Sequence, residues 1–359
     1  MKNAYTLLFL MLAACTIHGA VPMNEPVRAG ALLPLTGSLS YFGEEMQKGF
    51  DLAAEEINAQ GGVNGRLLQL IYEDTKCDIT PTITALNKLR HVDDVVAFLG
   101  PFCGSSIEIT ATFAEQEHLI GITPETNFGK LGNTYFSTKS LLEKQMQTLA
   151  EHAYNTGIRT AGIIYFDNLY GVKNKEHFTH HFTKQGGSIV AAEAFLPWEG
   201  PDYRTMITKM KDADAILIVW GSAGEVINQI RELGSATTIL GIEGIDNPDT
   251  LEIAGKNAEG VLSAKEEKIT DAEFVSRWKA RHQEEPTMWA RDAYDSVHLM
   301  AHLFNACGGE DTSCAVEKMT HLKNYQSVAG PITFNPETWD TGKEYHITRV
   351  RNGQAIRLT

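Results

Sequence analysis

The sequence predicts an α/β protein that is built from two doubly wound lobes. From residue 27 onward, segments typical of buried strands alternate with segments that carry apolar residues on one helical face. The alternation forms two series of similar length, and the second begins near residue 141. Strand segments such as 215–219 are apolar throughout, as expected when helices cover both faces of a parallel sheet.

The first series begins with a strand at 27–34 and a helix that ends at Gly61-Gly62. Thr80-Pro81 has the pattern of an N-cap followed by the first helical residue, and it opens a helix that runs to residue 91. The remaining elements predicted in this series are strands at 67–73, 95–100 and 119–123, and a helix at 105–117.

The second series and the end of the chain continue this pattern. Asn352-Gly353 is typical of a two-residue hairpin turn and separates strands at 344–350 and 354–358. The other predicted strands are 160–166, 188–195, 215–220 and 238–242, and the predicted helices are 141–156, 173–185, 203–211, 224–233, 271–283 and 290–305.

Length and charge limit the classes of function. A chain of 359 residues with 43% hydrophobic residues can bury two sizeable cores. A net charge of −14 argues against a nucleic-acid partner, which requires clustered lysine and arginine. No cysteine and histidine spacing resembles a zinc site, so neither a metal nor a cofactor is expected.

The first residues have the pattern of an export signal. Lys2 precedes an apolar run at 5–12, which is too short to span a bilayer. The sequence Leu12-Ala13-Ala14-Cys15 resembles the bacterial lipobox, in which the cysteine is lipidated. This predicts a signal peptide at 1–15, a lipid anchor on Cys15, a tether at 16–26 and a location in the periplasm or cell envelope. The alternative is an ordinary signal that is cleaved near Ala20.

Four cysteines remain after Cys15, an even number in an oxidising compartment. Cys307 and Cys314 flank a short loop that can bring them together. Cys77 and Cys103 each follow a predicted strand, and adjacent parallel strands would place both at the same sheet edge. We therefore expect the pairs 77–103 and 307–314, with free buried thiols as the alternative.

In doubly wound sheets, ligands lie beyond the carboxyl ends of the strands. The segments at these ends are 35–43, 101–106, 123–128, 167–171, 220–224 and 243–247. Several of them carry residues whose order and spacing are shared with a known family. The carriers are Pro34-Leu35-Thr36-Gly37, Tyr41-Phe42-Gly43, Gly61-Gly62-Val63-Asn64-Gly65, Glu73-Asp74 before Cys77, Gly100-Pro101 before Ser105-Ser106, Tyr170-Gly171, Glu243-Gly244 and Tyr294-Asp295.

With these residues the chain resembles a type I periplasmic solute-binding protein, and it is most similar to the leucine/isoleucine/valine-binding group. The resemblance implies a Venus-flytrap fold whose lobes are joined by three hinge crossings and close on a ligand. It also implies a disulfide between Cys77 and Cys103 and an ABC permease in the inner membrane as partner. The implied lobes are 27–142 plus 269–333 and 143–268 plus 334–359.

The resemblance implies that Ser105 and Ser106, at a helix start, hold the carboxylate of the ligand. The alternative is an ordinary N-cap. Gly104 stands where a relative has a ligating serine. In the next loop, Glu125 and Asn127 are candidate ligand contacts, at positions where relatives have a small residue and a threonine. An ionised Glu125 would repel a ligand carboxylate unless a cation countered it, or it points to solvent.

In the second lobe, Tyr170 matches a tyrosine that covers the ligand, with lobe packing as the alternative. Glu243 matches the carboxylate that pairs with the ammonium of the ligand, with a surface acid as the alternative. Ser222 stands where a relative offers an aromatic side chain. Phe42 and Trp289 are candidate apolar walls, and core packing competes for Trp289.

Together these residues predict a zwitterionic ligand held between Ser105/Ser106 and Glu243. The further acids Glu125 and Asp246 suggest a ligand with more positive charge than leucine. The predicted function is capture of an amino acid, or a similar small polar and possibly cationic solute, for an ABC importer. An outward-facing sensor of an amide, urea or amine on the same fold is the alternative. An enzyme is not expected, because no phosphate loop or nucleophile elbow is present.

Overall fold

The computed structural model describes residues 25–37, 39–196, 200, 202–220, 223–267 and 271–358. Its strands are β1 Val27–Leu33, β2 Leu68–Asp74, β3 Ala97–Leu99, β4 Ile120–Thr123, β5 Tyr135–Ser137, β6 Thr160–Phe166, β7 Ser188–Phe195, β8 Ala215–Val219, β9 Thr238–Gly241, β10 Leu262–Glu266, β11 Tyr345–Arg351 and β12 Gln354–Arg357. Its α-helices are α1 Ser40–Ala59, α2 Ile79–His91, α3 Gly104–Gln116, α4 Leu142–Asn155, α5 Leu169–Lys184, α6 Arg204–Thr208, α7 Gly224–Glu232, α8 Pro248–Ala254, α9 Ala272–His282, α10 Met288–Cys307 and α11 Thr312–Thr320.

The first lobe is organised around a five-stranded sheet in the order β2-β1-β3-β4-β5. All of its strand pairs are parallel. Strands β3 and β4 are buried at every residue, which explains their continuous apolar sequences. The carboxyl ends of these strands therefore meet at one edge, and that edge faces the second lobe.

The second lobe contains a seven-stranded sheet in the order β12-β11-β10-β9-β8-β6-β7. The strands from β10 to β7 pair in parallel, whereas β11 is antiparallel to both β10 and β12. Asn352 and Gly353 form the turn between β11 and β12 with φ values of 50° and 73°. Positive φ at both positions is what the predicted hairpin turn requires. The predicted doubly wound α/β class is confirmed.

Helices α1 and α10 pack closely together in the core of the first lobe. Gly49 makes this contact possible, because a Cβ there would overlap the backbone carbonyl of Ala290. Phe50 and Trp278 are fully buried beside this contact. The late helices α9 and α10 thus belong to the first lobe, and the chain returns to it after the second sheet has begun.

The last crossing between the lobes lies later than the sequence placed it. Residues 334–359 were assigned to the second lobe, yet Phe334 and Trp339 pack in the first core. The ring of Trp339 stacks on Phe136 of β5 with 5.8 Å between ring centroids. The indole Nε1 of Trp339 also donates a hydrogen bond to the carbonyl of Tyr135. This packing moves the boundary to about residue 340.

Both expected disulfides are present, so the alternative of free thiols is excluded. The Cα atoms of Cys77 and Cys103 are 5.4 Å apart, and those of Cys307 and Cys314 are 5.9 Å apart. The strands before Cys77 and Cys103 are not adjacent, contrary to the sequence prediction, because β1 lies between β2 and β3. The cysteines meet because their loops leave the same edge of the sheet.

None of the helices in the described part of the chain combines the length and apolar character that a bilayer crossing requires.

Candidate functional site

The amino end of α3 faces the second lobe without a capping side chain. Its N-cap residue, Cys103, makes no side-chain capping bond. The hydroxyl of Ser106 is fully buried and lies 2.9 Å from the hydroxyl of Thr82 on α2. The side chain of Ser106 is therefore turned into the first lobe, and only its backbone amide and Ser105 remain for the cleft. The exposed amides of a first helical turn carry partial positive charge.

The two lobes touch at Gly104. A Cβ at this residue would lie 3.1 Å from Cζ of Phe128 and 3.6 Å from the backbone nitrogen of Tyr170. Because Tyr170 belongs to the second lobe, the described conformation is closed here. The distance to Tyr170 is an ordinary van der Waals contact, so the close neighbour of a side chain at Gly104 would be the Phe128 ring of the first lobe.

Tyr170 lies in the first turn of α5, where the side chain of Asn168 caps the helix by accepting a bond from the amide of Gly171 at 2.8 Å. Burial raises the pKa of the Tyr170 hydroxyl, and the charges of Glu243 and Glu125 raise it further. The hydroxyl therefore stays protonated at neutral pH and can donate a hydrogen bond. The position agrees with its predicted place in the cleft.

An aromatic cluster lies on the first lobe. Phe42 stacks on Phe102 with 5.0 Å between centroids, and Trp289 meets Phe42 edge-on at 4.7 Å. Phe102 and Trp289 pack against the first core and remain half-buried. Tyr41 contacts both Phe42 and Trp289. Burial is the main cause that raises the pKa of Tyr41, and Asp249 of the second lobe makes a smaller contribution in the same direction. The cluster thus combines core packing with a face toward the other lobe.

A lysine ammonium joins the lobes in the closed conformation. The Nζ atom of Lys139 lies 3.1 Å from Oδ2 of Asp292 on α10 and 3.6 Å from Oε2 of Glu243 after β9. The Lys139 side chain is 9% exposed. Burial alone would lower the pKa of Lys139, but Asp292 and Glu243 together with neighbouring acids hold it well above its ordinary value. The ammonium therefore stays charged between one acid from each lobe.

Glu125 is buried beside this ion cluster. Its Oε1 atom has no hydrogen-bond partner among the described residues. Burial raises the pKa of the carboxyl to about 8, against the attraction of Lys139 and with added repulsion from Asp292 and Glu243. Glu125 is therefore largely neutral at pH 7, and it does not point to solvent.

A second buried ion pair lies where the crossing segments meet. The Nζ atom of Lys343 is 3.6 Å from Oε2 of Glu266, and the amide of Ser140 donates to Oε1 of the same glutamate at 2.7 Å. The Ser140 hydroxyl donates to the carboxylate of Asp340 and to the carbonyl of Lys343. All three crossings are thus tied together by buried polar contacts.

The structure assigns Asn127 to the hinge, contrary to the prediction that it contacts a ligand. Its Nδ2 atom donates to the carbonyls of Lys139 and Trp339 at 2.9 and 2.8 Å, and its Oδ1 atom accepts from the amide of Gly129. Both ends of the amide are therefore bonded within the protein. Asn127 fixes the backbone from which Lys139 projects.

Asp246 also has a charged partner within the protein. Its Oδ1 atom lies 2.6 Å from Nζ of Lys265, and its side chain is 2% exposed. The charge that suggested a cationic ligand is neutralised by this neighbour. Ser222 lies outside the described residues.

Little space remains around the ion cluster. A cavity with room for about one water molecule lies between the lobes. Its lining residues are Lys139, Glu243, Glu266, Glu267, Met288, Arg291, Asp292 and Ala329.

The sequence analysis identified Glu243 and Glu125 but missed Lys139 and Asp292. Lys139 lies in the predicted crossing, and a single basic residue in such a segment is a usable signal. Asp292 follows Trp289 by three residues and so shares its helical face. Neither signal indicates that the two side chains pair with each other, or that Lys139 reaches Glu243 of the second lobe.

The model of the periplasmic binding protein family matches residues 26–355. The chain is a type I periplasmic binding protein. A Leu/Ile/Val-binding protein homologue from Brucella melitensis is 25% identical, covering 96% of this chain and 97% of that protein. This periplasmic binding protein therefore belongs to a group that binds solutes for import rather than transforming them.

Solved structures show the same fold. A leucine-binding protein from Thermotoga maritima has a TM-score of 0.84 at 23% identity, with 93% of this chain and 98% of that chain covered. A solute-binding protein of an ABC transporter from Rhodopseudomonas palustris, solved with 3,4-dihydroxybenzoic acid, has a TM-score of 0.80 at 24% identity, with 93% and 96% covered. One neighbour is named for leucine and the other was solved with an aromatic acid.

Proposed function

We propose that this periplasmic binding protein captures a small solute with a carboxylate end, an amino acid or a similar acid, and delivers it to an ABC permease. The observation that carries the proposal is the uncapped amino end of α3, which faces Tyr170 across the closed cleft. Backbone amides at a helix start and a protonated phenol are suitable donors for a carboxylate.

Glu125 agrees with this proposal in its neutral form. An ionised carboxylate beside the ligand would repel a second one, whereas a protonated carboxyl can donate to it. The pKa of about 8 keeps Glu125 mostly protonated at neutral pH. The other acid that suggested a cationic ligand, Asp246, is paired with Lys265. We therefore do not extend the proposal to a ligand with more positive charge than leucine.

The comparisons leave the chemical class of the solute open. One neighbour is described as a leucine-binding protein and another was solved with 3,4-dihydroxybenzoic acid. The first solute carries an ammonium group and the second does not. The choice has to be argued from the cleft of this chain.

We further propose that Cys15 is lipidated and anchors the mature protein to the membrane. The support is the sequence Leu12-Ala13-Ala14-Cys15. Mass spectrometry of the mature amino terminus tests this. A diacylglyceryl group on Cys15 is expected, and an unmodified terminus near Ala20 would refute it. A Cys15→Ala variant released into the soluble fraction provides the matching cellular result.

A thermal-shift screen of the protein begun at Val27 tests solute capture. The screen includes amino acids, oxo acids, benzoates, amines and small amides. Binding to the folded state raises the melting temperature by mass action. Tyr170→Phe should weaken the response to the best carboxylate, whereas Tyr154→Phe, on α4 away from the cleft, serves as the matched control. A flat screen, together with no molecule co-purifying by mass spectrometry, would overturn the proposal.

A further inference from the structure

The acids that could receive an ammonium in this cleft already have one. Lys139 projects from the first crossing, and its Nζ atom lies within 3.6 Å of Glu243 and 3.1 Å of Asp292. These acids come from opposite lobes. A cation carried by a ligand would have to occupy the same position between them.

The charges around the cavity are balanced without a ligand. The lining has two cations, Lys139 and Arg291, and four acids, and two of those acids are countered by Lys343 and Arg357 outside the lining. A third cation would therefore meet repulsion from Lys139, and the one further acid beside the cluster, Glu125, is largely neutral at pH 7.

The other acids of the lining have partners of their own. Glu266 lies near Lys343 and accepts the amide of Ser140, while Glu267 pairs with Arg357. Neither is therefore left to receive a ligand ammonium.

The size of the cavity also argues against a ligand ammonium at this position. The cavity beside Lys139 has room for about one water molecule. An ammonium group bonded to a carbon chain is larger than that. It could enter only if the Lys139 side chain moved out, which would leave a second buried cation to be placed elsewhere.

We propose that Lys139 is a specificity-determining residue that takes the place of a ligand ammonium at Glu243 and Asp292, so that the cleft selects carboxylates with no ammonium beside the carboxyl. Oxo, hydroxy or aromatic acids belong to this class. The inference rests on the proposed function, and it narrows the solute class that was left open there.

The test compares acids with the same carbon skeleton, in which a ketone replaces the carbon that carries the ammonium. Leucine is paired with 4-methyl-2-oxopentanoate, and phenylalanine with phenylpyruvate, and each dissociation constant is measured by calorimetry. The wild-type protein should bind the oxo acid of a pair more tightly. Lys139→Ala opens space beside two unpaired acids, so it should shift the preference toward the amino acid by about tenfold or more. Lys139→Met removes the charge but keeps the bulk, and should weaken the oxo-acid preference less.

The matched control is Lys184→Met at the exposed end of α5, which should leave the preference unchanged. If the wild-type protein prefers the amino acids, this inference is overturned while the proposed function stands. The same holds if both Lys139 variants keep the wild-type preference. If no acid of either kind binds, the proposed function fails, and this inference fails with it. Should a variant not fold, the wild-type preference alone still decides.

Discussion

Replacing Glu125 with glutamine should change how the free energy of unfolding depends on pH. Burial raises the pKa of the Glu125 carboxyl from about 4.5 to about 8 in the folded protein. Between these values the unfolded chain has lost the proton and the folded protein has kept it. Stability therefore falls as the pH rises through this range, because the folded state binds the extra proton.

One proton sets the size of this effect. The free energy of unfolding should decrease by up to about 1.4 kcal/mol per pH unit. From about pH 5.5 to about pH 7.5 the loss is about 2 to 3 kcal/mol. Glu125→Gln stays neutral throughout, so it should approach the wild-type stability at low pH and exceed it increasingly at higher pH.

Urea unfolding of ligand-free protein, followed by circular dichroism at several pH values, measures this difference. Asp295, whose pKa burial raises to about 6, contributes equally to both proteins and cancels. Glu337→Gln in an exposed loop is the matched control and should run parallel to the wild type. A constant difference between Glu125→Gln and wild type across the range would refute the assignment of a neutral carboxyl.

Three further changes test other parts of the structure. Replacing Cys77 and Cys103 by alanine frees the start of α3 and should lower the free energy of unfolding by about 3 kcal/mol, measured with and without reductant. Trp339→Ala removes a ring from the first core and should cost about 3 to 5 kcal/mol in urea unfolding. Gly104→Ser places a Cβ about 3.1 Å from Cζ of Phe128 in the same lobe, so it should displace that ring beside the cleft and weaken ligand affinity with little loss of stability.

Each of these has a result that would contradict it. The cysteine variant should match reduced wild-type protein, and equal stability of oxidised wild type and variant would remove the role of the bond. A loss below about 1 kcal/mol for Trp339→Ala would place its ring outside a packed core. Unchanged affinity in Gly104→Ser would show that the Phe128 ring beside Gly104 does not contribute to the cleft.

The sequence predicted most strands and helices because their apolar patterns are regular. It missed β5 and β10 for identifiable reasons. Strand β5 is three residues long, which is too short for periodicity to be read. Strand β10 is buried yet carries Ser263, whose hydroxyl lies 2.8 Å from that of Thr348 on β11. With Ser263, Lys265 and Glu266 among its five residues, β10 has no continuous apolar sequence.

Only those features of the candidate site that follow from a residue's position along the chain could be predicted. Tyr170 and Glu243 follow strands, so their place at the sheet edge could be inferred. The partnership of Lys139 with Glu243 depends on the closure of the two lobes. Asn127 looked like a ligand contact for the same reason that Tyr170 did. Only its two bonds to distant carbonyls distinguish the roles.

The hydrophobic core of the first lobe is complete only when Trp339 stacks on Phe136. The central strands of this lobe come early in the chain, but its core lacks the ring of Trp339 until residues close to the carboxyl terminus are available. Strands β11 and β12, which follow directly, complete the edge of the second sheet. Contacts between such distant segments form slowly. Loss of the last few tens of residues would thus leave both lobes incomplete. A chain shortened at this end would therefore not keep one intact lobe.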